Sequence, residues 1–416
     1  MSLKVSRGTQ DFLPRSCKKL DFILRKARAV FEHYAFQEIS TPIFENTAVF
    51  MQGIGEDTDI IQKEMYTFQD KGQRSLTLRP EGTAAVVRAC IEHRLLTSSQ
   101  KLFYVGPFFR YERPQAGRYR QFHQIGAEYL GESSPYADAE LIILAYRLFS
   151  SLGLKDLHIS INTIGDSSSR PAICALIRDF FTPYHSQLSA HVQQLLRQNP
   201  LRILDSKDPF IQTCLERFSG FQSCLNKESL THYQCVLSLL DLEKIPYKET
   251  PFLVRGLDYY THTTFEICSE QLGAQSAICG GGRYDHLVEK LKGPATPAVG
   301  FAFGLERLLT ILDQENSFKI DTKPLVVFIP LGIEAEQSCF SYMEQCRKAG
   351  IACHRFLGLT KLSQHLKHAH NLNATACVII GENELQTQQF LFKHMDSGEQ
   401  SHIPIDQLIS TMEAMK

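Results

Sequence analysis

No apolar run in the 416-residue chain is long enough to cross a bilayer: residues 141–146 already end at Arg147, far short of the ~20 residues a spanning helix needs. The opening MSLKVSRGTQDF lacks the apolar core of a signal peptide, so no membrane partner and a cytoplasmic location are expected. Net charge is missing too. With 44 Lys+Arg against 45 Asp+Glu, or −1, the chain has neither a global field for nucleic acid nor the acidic excess of a disordered segment. Any basic site must be local. None of the 12 cysteines lies in a C-x-x-C pair, so neither a thiolate zinc site nor a disulfide framework is indicated, and they read as reduced small hydrophobes. Solenoid repeats, low-complexity tracts, Walker loops and dinucleotide glycine signatures are also absent. What is present, 43% hydrophobic and 21% charged residues, is ordinary for a folded protein of two or three domains.

Leu20, Ile23, Leu24, Ala27, Val30, Phe31 and Tyr34 recur at helical spacing and predict an amphipathic helix over 17–35. At Thr41-Pro42 the proline fixes its own φ and biases its predecessor toward extended backbone, so a change from helix to strand is expected there. Residues 101–112 and 119–130, rich in aromatic and β-branched side chains, predict a β-hairpin. A helix over 139–152, a strand over 157–163 and a largely helical insertion at about 170–240 follow. After polar residues 313–323, strands near 325–330, 352–355 and 376–380 alternate with helices near 334–349 and 361–371, which predicts a small parallel-sheet α/β domain. The expected division is 1–320 and 321–416.

Several constellations stand out. In the second hairpin strand, period-two alternation puts Phe122, Gln124, Gly126 and Glu128 on one face. A bare glycine between two polar side chains leaves room for a ligand against the sheet; a glycine bulge with surface polar residues explains the pattern as well. Gly106 in the first strand offers a matching open position. Arg110, Arg113, Arg118 and Arg120 place four guanidiniums beside the single acid Glu112, suited to phosphate or to a solvated basic turn. In residues 299–307, Gly300, Ala302 and Gly304 share one face and Val299, Phe301 and Phe303 the other. That makes a flat floor backed by the core, with Arg307 where a helix should begin. Arg255-Gly256-Leu257-Asp258-Tyr259-Tyr260 and Gly280-Gly281-Gly282-Arg283-Tyr284-Asp285 combine Arg, Asp and Tyr in short glycine-containing turns. Glu81 and Thr83 stand where a strand passes into a helix, and serve either an ammonium group or the helix N-terminus. The run HLKHAH, 365–370, is read as one face of an amphipathic helix rather than a metal site.

In this order the pieces resemble the class II aminoacyl-tRNA synthetases and, within them, the histidyl-tRNA synthetase family. Thr41 to Glu45 resembles the dimer-forming motif 1, FFRYERPQAGRYRQFHQ motif 2 and VGFAFGLERL motif 3. RGLDYYTHTTFE and GGGRYDHL resemble two histidine-specific signatures, while LRPEGT, Gln124 and Glu128 match the amino-acid pocket. The family commonly has a small residue at the position of Gly280 and glycine at that of His286, so this chain departs there. The resemblance implies an α+β protein: an antiparallel catalytic sheet flanked by helices, a helical insertion and a C-terminal α/β anticodon-binding domain. It also implies histidine–tRNA ligation through histidyl-adenylate, with ATP and Mg²⁺ as a substrate complex, no prosthetic group, no dedicated metal site, and histidine tRNA, L-histidine and a second copy of the chain as partners.

The implied roles are specific. Arg255 is the expected catalytic cation, and Arg110 is catalytic at the α-phosphate. Arg307 serves the γ-phosphate and adenine face, Phe122 stacks on adenine and Glu112 accepts from its amine. Glu81, Thr83 and Gln124 hold the substrate ammonium; Glu128 and Tyr260 bond the imidazole, with Tyr284 closing that side. Gln115 and Arg120 reach the tRNA acceptor end. A regulatory paralogue that binds histidine would lack the C-terminal domain and erode these motifs, and a synthetase for glycine, threonine or proline would leave RGLDYYT and the Gln124/Glu128 pair unexplained. Residues 323–416 carry 8 Lys+Arg against 9 Asp+Glu, so anticodon recognition there must rest on shape and hydrogen bonding.

Overall fold

A computed structural model describes residues 3–55, 58–114, 117–206, 208–269, 277–314, 318 and 324–414. The chain divides into two compact units, Met1–Phe318 and Lys319–Lys416. Helix α1 (Pro14–His33) opens on a proline, whose missing N–H costs nothing in a first turn, and buries the stripe Ile23, Ala27 and Phe31. Strands β1 (Gln37–Glu38) and β2 (Phe44–Asn46) lie on either side of Thr41-Pro42, and α2 (Thr47–Ile54) is capped by the Asn46 side chain. Strands β3 (Tyr66–Gln69) and β4 (Ser75–Leu78) join β2 in a small antiparallel sheet.

Next come α3 (Thr83–Glu92), the hairpin β5 (Gln100–Phe109) and β6 (Gln121–Leu130), α4 (Pro135–Ser151) and β7 (Leu157–Thr163). The insertion contributes α5 (Arg170–Phe181), α6 (Ala190–Gln198) and α7 (Pro209–Leu215). Helix α8 (Lys227–Leu242), placed by the sequence pattern inside the insertion, instead sends Tyr233, Val236 and Leu240 into the core that α1 and α4 build over the main sheet. The unit ends with β8 (Tyr247–Glu249), β9 (Thr261–Ser269), β10 (Ala277–Arg283), α9 (Leu287–Lys290), β11 (Ala298–Gly304) and α10 (Leu305–Gln314).

Eight strands form one sheet in the order β1-β5-β6-β11-β10-β9-β7-β8. The six central strands pair antiparallel, and short parallel strands close both edges. Its two faces differ as β11 predicts. Val299, Phe301 and Phe303 join Ile23, Phe31 and Leu141 in the helix-covered core, where Phe31 and Phe103 stack with centroids 4.5 Å apart. The opposite face carries glycines and polar side chains among Leu102, Tyr104, Phe108 and Leu130, which join a second core with Val86 and Val87 of α3.

The second unit holds β12 (Leu325–Pro330), α11 (Ile333–Lys348), β13 (Ala352–His354), α12 (Leu362–Asn371), β14 (Ala376–Ile380), α13 (Glu382–Thr387), β15 (Gln389–His394), β16 (Gln400–Pro404) and α14 (Leu408–Glu413). Its sheet runs β13-β12-β14-β15-β16. Only the first three strands are parallel; β15 and β16 add antiparallel, which corrects the all-parallel expectation. Residues 381–388 are too few for a parallel crossover, which takes a dozen or more. His365 is buried, with Nε2 hydrogen-bonded to the Leu359 carbonyl at 3.0 Å.

Candidate active site

Strand register gathers distant motifs into rows. One row runs Glu128–Gly300–Gly282–Thr264, the next Tyr104–Gly126–Ala302–Gly280–Glu266, and a third Gly106–Gln124–Gly304. These positions share the face turned away from the helix-covered core. Cross-strand neighbours lie ~4.8 Å apart, so four strands make a floor roughly 15 Å wide.

Most of its glycines are seats for particular side chains. A Cβ on Gly300 would overlap the Glu128 carboxylate, one on Gly280 the Arg255 guanidinium, and one on Gly282 would come within 2.9 Å of the Tyr260 ring. The departure at Gly280 thus gives Arg255 its place. Gly106 and Gly126 are not the open ligand positions that sequence predicts: the Arg79 guanidinium fills the first and the Tyr104 ring the second. The reason is local. Arg79, itself buried, donates to the carbonyls of Pro107 and Thr41, each at 2.9 Å, and can reach them only across a residue without a side chain. Open floor remains at Gly304, where a Cβ would meet no atom within 4 Å.

At one end of the floor is a buried polar pocket. Glu128, 1% exposed, accepts from Thr83 Oγ1 at 2.7 Å and from the Tyr284 hydroxyl at 2.5 Å. Burial outweighs these two bonds and pushes its carboxyl up to about 8. Glu81 accepts the Thr83 and Ala84 amides at 2.7 and 2.9 Å. It therefore caps α3, one of the two roles the sequence leaves open, and burial raises its carboxyl as well. The buried Gln124 Oε1 has no hydrogen-bond partner among the described residues. A buried carbonyl left unpaired is costly, so it stands ready for a donor from outside the protein. The Tyr259 and Tyr260 rings pack at a tilt with centroids 4.7 Å apart, and Tyr259 meets Tyr284 at 5.5 Å.

The cations surround the rest. Arg255 pairs with Glu266 of β9, the last residue of the motif RGLDYYTHTTFE, to which the sequence gives no role. Burial disfavours the Arg255 charge, but Glu266 more than offsets that and raises its proton affinity. Arg110 leaves β5 to donate to the Pro80 carbonyl at 2.8 Å, next to Glu81, with its guanidinium 5.7 Å from the centroid of Phe122. Glu112 lies 3.9 Å from Arg110 and 3.5 Å from Arg118. Arg307 enters from the first turn of α10, where burial and then Arg118 depress its proton affinity. Arg120 is stacked on Tyr111 at 3.7 Å, while its backbone amide donates to the Gly8 carbonyl at 2.6 Å. Gln115 lies outside the described residues. His286 caps α9 and faces Glu289 at 3.4 Å on the surface.

Sequence alone assigns no individual role to Tyr104, Tyr259, Arg79 or Glu266, although the last three stand inside the motifs LRPEGT and RGLDYYTHTTFE.

The family model described as histidyl-tRNA synthetase matches residues 8–167 and 184–308, and one described as anticodon binding domain matches 325–415. A histidine–tRNA ligase of Thermosynechococcus vestitus is 46% identical over 99% of this chain and 96% of its own. That of Protochlamydia amoebophila is 44% identical over 99% and 100%. The crystal structure of apo S. aureus histidyl-tRNA synthetase superposes with a TM-score of 0.84 at 36% identity, covering 99% of this chain and 100% of that one.

Proposed function

Since the chain belongs to the histidyl-tRNA synthetase family, we infer that it joins L-histidine to histidine tRNA. ATP first activates the histidine carboxylate to histidyl-adenylate with release of pyrophosphate, and the histidyl group then passes to the 3′-terminal adenosine. The observation that carries the assignment of roles is the set of polar groups itself: Glu128 held by Thr83 and Tyr284, and, four residues earlier on the same face of β6, the buried Gln124 Oε1 with no hydrogen-bond partner among the described residues.

Imidazole needs a partner at each ring nitrogen. Glu128 and Tyr260 supply them, with Tyr284 fixing the carboxyl, and the ammonium group sits among Gln124 Oε1, Glu81 and Thr83. A pocket that leaves buried polar groups unpaired when the wrong amino acid enters rejects it by about 10⁴ or more. Adenine lies over the small-residue floor against Phe122, with Glu112 accepting its exocyclic amine. Arg110 meets the α-phosphate, and Arg307 the γ-phosphate. Arg255 neutralises the repulsion between the attacking carboxylate and the α-phosphate; no side-chain nucleophile is needed when alignment and charge do the chemistry. Mg²⁺ enters with ATP and leaves with pyrophosphate. Arg120, which directly precedes β6, and Gln115 serve the tRNA acceptor end, and the second unit takes the anticodon.

Two chains pair through motif 1, where Ile43 and Phe44 are 45% and 52% exposed, with Phe68 of β3, 43% exposed, beside Phe44. Side chains of that kind are otherwise core material. No helix among the described residues is long and apolar enough to cross a membrane, which together with the activity supports a cytoplasmic location.

The test is exchange of labelled pyrophosphate into ATP, scanned over the amino acids. Histidine alone should support it; exchange with another amino acid, or none, overturns the assignment. Glu128→Gln should raise the KM for histidine at least tenfold and leave that for ATP within twofold, and an unchanged histidine KM removes Glu128 from the pocket.

The raised Glu128 carboxyl also predicts a pH effect. Folded, the group keeps its proton to about 8; unfolded, it releases it near 4.5. Between these values the native state binds the extra proton, so Glu128's contribution to stability is complete below 4.5 and declines as pH rises to 8, by at most about 1.4 kcal/mol per unit. Urea midpoints of Glu128→Gln relative to the parent should therefore improve from pH 5 to pH 8, and a pH-independent difference contradicts this.

A further inference from the structure

The loop 251–260 carries Arg255 and Tyr260, and beside Gly256 it faces open space, since a Cβ there would meet no atom within 4 Å. Its start is held where Asn162 and Thr264 donate to the Leu253 carbonyl at 3.0 and 3.3 Å, and from the sheet side Glu266 holds Arg255. Between Arg255 and Tyr260 the anchor is Asp258, which sits where three elements meet. Its amide donates to the Ile54 carbonyl at the end of α2 at 3.4 Å. Gly55, at φ 107°, leaves room for its carboxylate, since a Cβ there would lie 3.1 Å from Asp258 Oδ2.

The third element is the helical insertion. Where α6 ends, the Asn199 side-chain amide donates to Asp258 Oδ1 at 3.0 Å, and Arg202 Nε lies 3.8 Å from the same oxygen. Arg202 and Asp258 are only 20% and 21% exposed, so the pair is partly sheltered from the screening that weakens surface ion pairs. Buried Leu201 and Ile203 fix the turn that presents both donors. Between the two elements a narrow cleft is lined by Arg170, Leu201 and Arg202 from the insertion and by Arg255, Asp258 and Tyr260 from the loop.

We propose that Asn199 and Arg202 position Arg255 and Tyr260 through the Asp258 carboxylate, which makes the helical insertion a working part of amino-acid activation. The proposal rests on the synthetase reading. Asp258 lies three residues after Arg255 and two before Tyr260, so a shift at Asp258 moves a cation and a ring that must meet the substrate together. Misplacing such groups by an ångström costs up to 10²-fold in rate without removing any contact to substrate.

Two measurements on the full chain decide it. In histidine-dependent pyrophosphate exchange, Asn199→Ala and Asp258→Ala should each lower kcat roughly tenfold and leave the KM for ATP within twofold. The double variant should be no worse than Asp258→Ala alone, because residues acting through one contact are not additive. Asp258→Asn, which keeps an acceptor oxygen, should recover most of the loss. An unchanged kcat in Asn199→Ala, or two losses that multiply, overturns the proposal. Independently of activity, trypsin cleavage after Arg255, read by mass spectrometry, should quicken at least fivefold in Asn199→Ala at an unaltered melting temperature. Unaltered cleavage overturns the proposal. Absence of histidine-dependent exchange in the parent protein overturns only the synthetase reading, and the cleavage rate still decides the anchoring.

Discussion

Arg255→Ala is expected to lower histidine-dependent pyrophosphate exchange by about 10² to 10³, the cost of losing one preorganised charge donor, with histidine affinity within roughly threefold of the parent. The asymmetry follows from where the side chain sits. In the proposed assignment Glu128, Thr83, Gln124 and Tyr284 bind the amino acid, whereas Arg255 lies over Gly280, two strands across from β6. An interaction felt only as charge develops lowers kcat without weakening ground-state binding. The alanine variant also leaves Glu266 without its cation. Glu266→Gln separates the two effects: it keeps the guanidinium, relaxes its grip, and should lose about tenfold in kcat. Equal loss of histidine affinity and exchange in Arg255→Ala, measured by equilibrium dialysis beside the exchange assay, removes Arg255 from the transition state.

Much of this site was legible because its signals are short-range. Period-two alternation in 121–130 and 299–304 depends only on neighbours along the strand, and both strands appear with the expected faces. The same holds for α1, whose buried stripe Ile23, Ala27 and Phe31 repeats every four residues. What a glycine makes room for is a different kind of information. Gly280 accommodates Arg255, and Gly106 accommodates Arg79, but nothing within a few residues of either glycine says so. Nor can spacing show that Glu266 rather than Asp258 pairs with Arg255. Assigning α8 to the insertion fails for a related reason: its stripe is as apolar as those of its neighbours, and only tertiary contact shows that it packs with α1 and α4. The antiparallel half of the C-terminal sheet depends on connection length, which strand pattern does not encode.

The largest effect on stability is expected at a pair that takes no part in the chemistry. Arg283, 1% exposed, directs all its donors inward. Its Nε lies 3.0 and 3.2 Å from the Asp138 oxygens, Nη1 donates to the Glu132 carbonyl at 2.9 Å and to Asp285 at 3.1 Å, and Nη2 donates to the Ser134 carbonyl at 3.1 Å and to Asp138. Asp138 is itself fully buried; Arg283 and His232 hold its carboxyl below the usual range against the opposing pull of burial. Asp138→Ala would leave the buried guanidinium with Asp285, 23% exposed, as its remaining counter-charge, a loss of about 3 kcal/mol, or roughly 4 to 5 °C in melting temperature for a unit of this size. Tyr284 follows Arg283 in the chain and bonds Glu128, so the variant should also weaken histidine binding more than ATP binding. Asp138→Leu combined with Arg283→Met should recover most of the stability, since the penalty arises from a buried charge short of counter-charge rather than from the missing pair, and Asp285, 23% exposed, still accepts the Ala298 amide at 3.1 Å. Calorimetry decides between these outcomes: a melting temperature within about 1 °C of the parent in Asp138→Ala, or a double variant worse than the single, shows that the pair does not hold the end of β10, next to Tyr284, against α4.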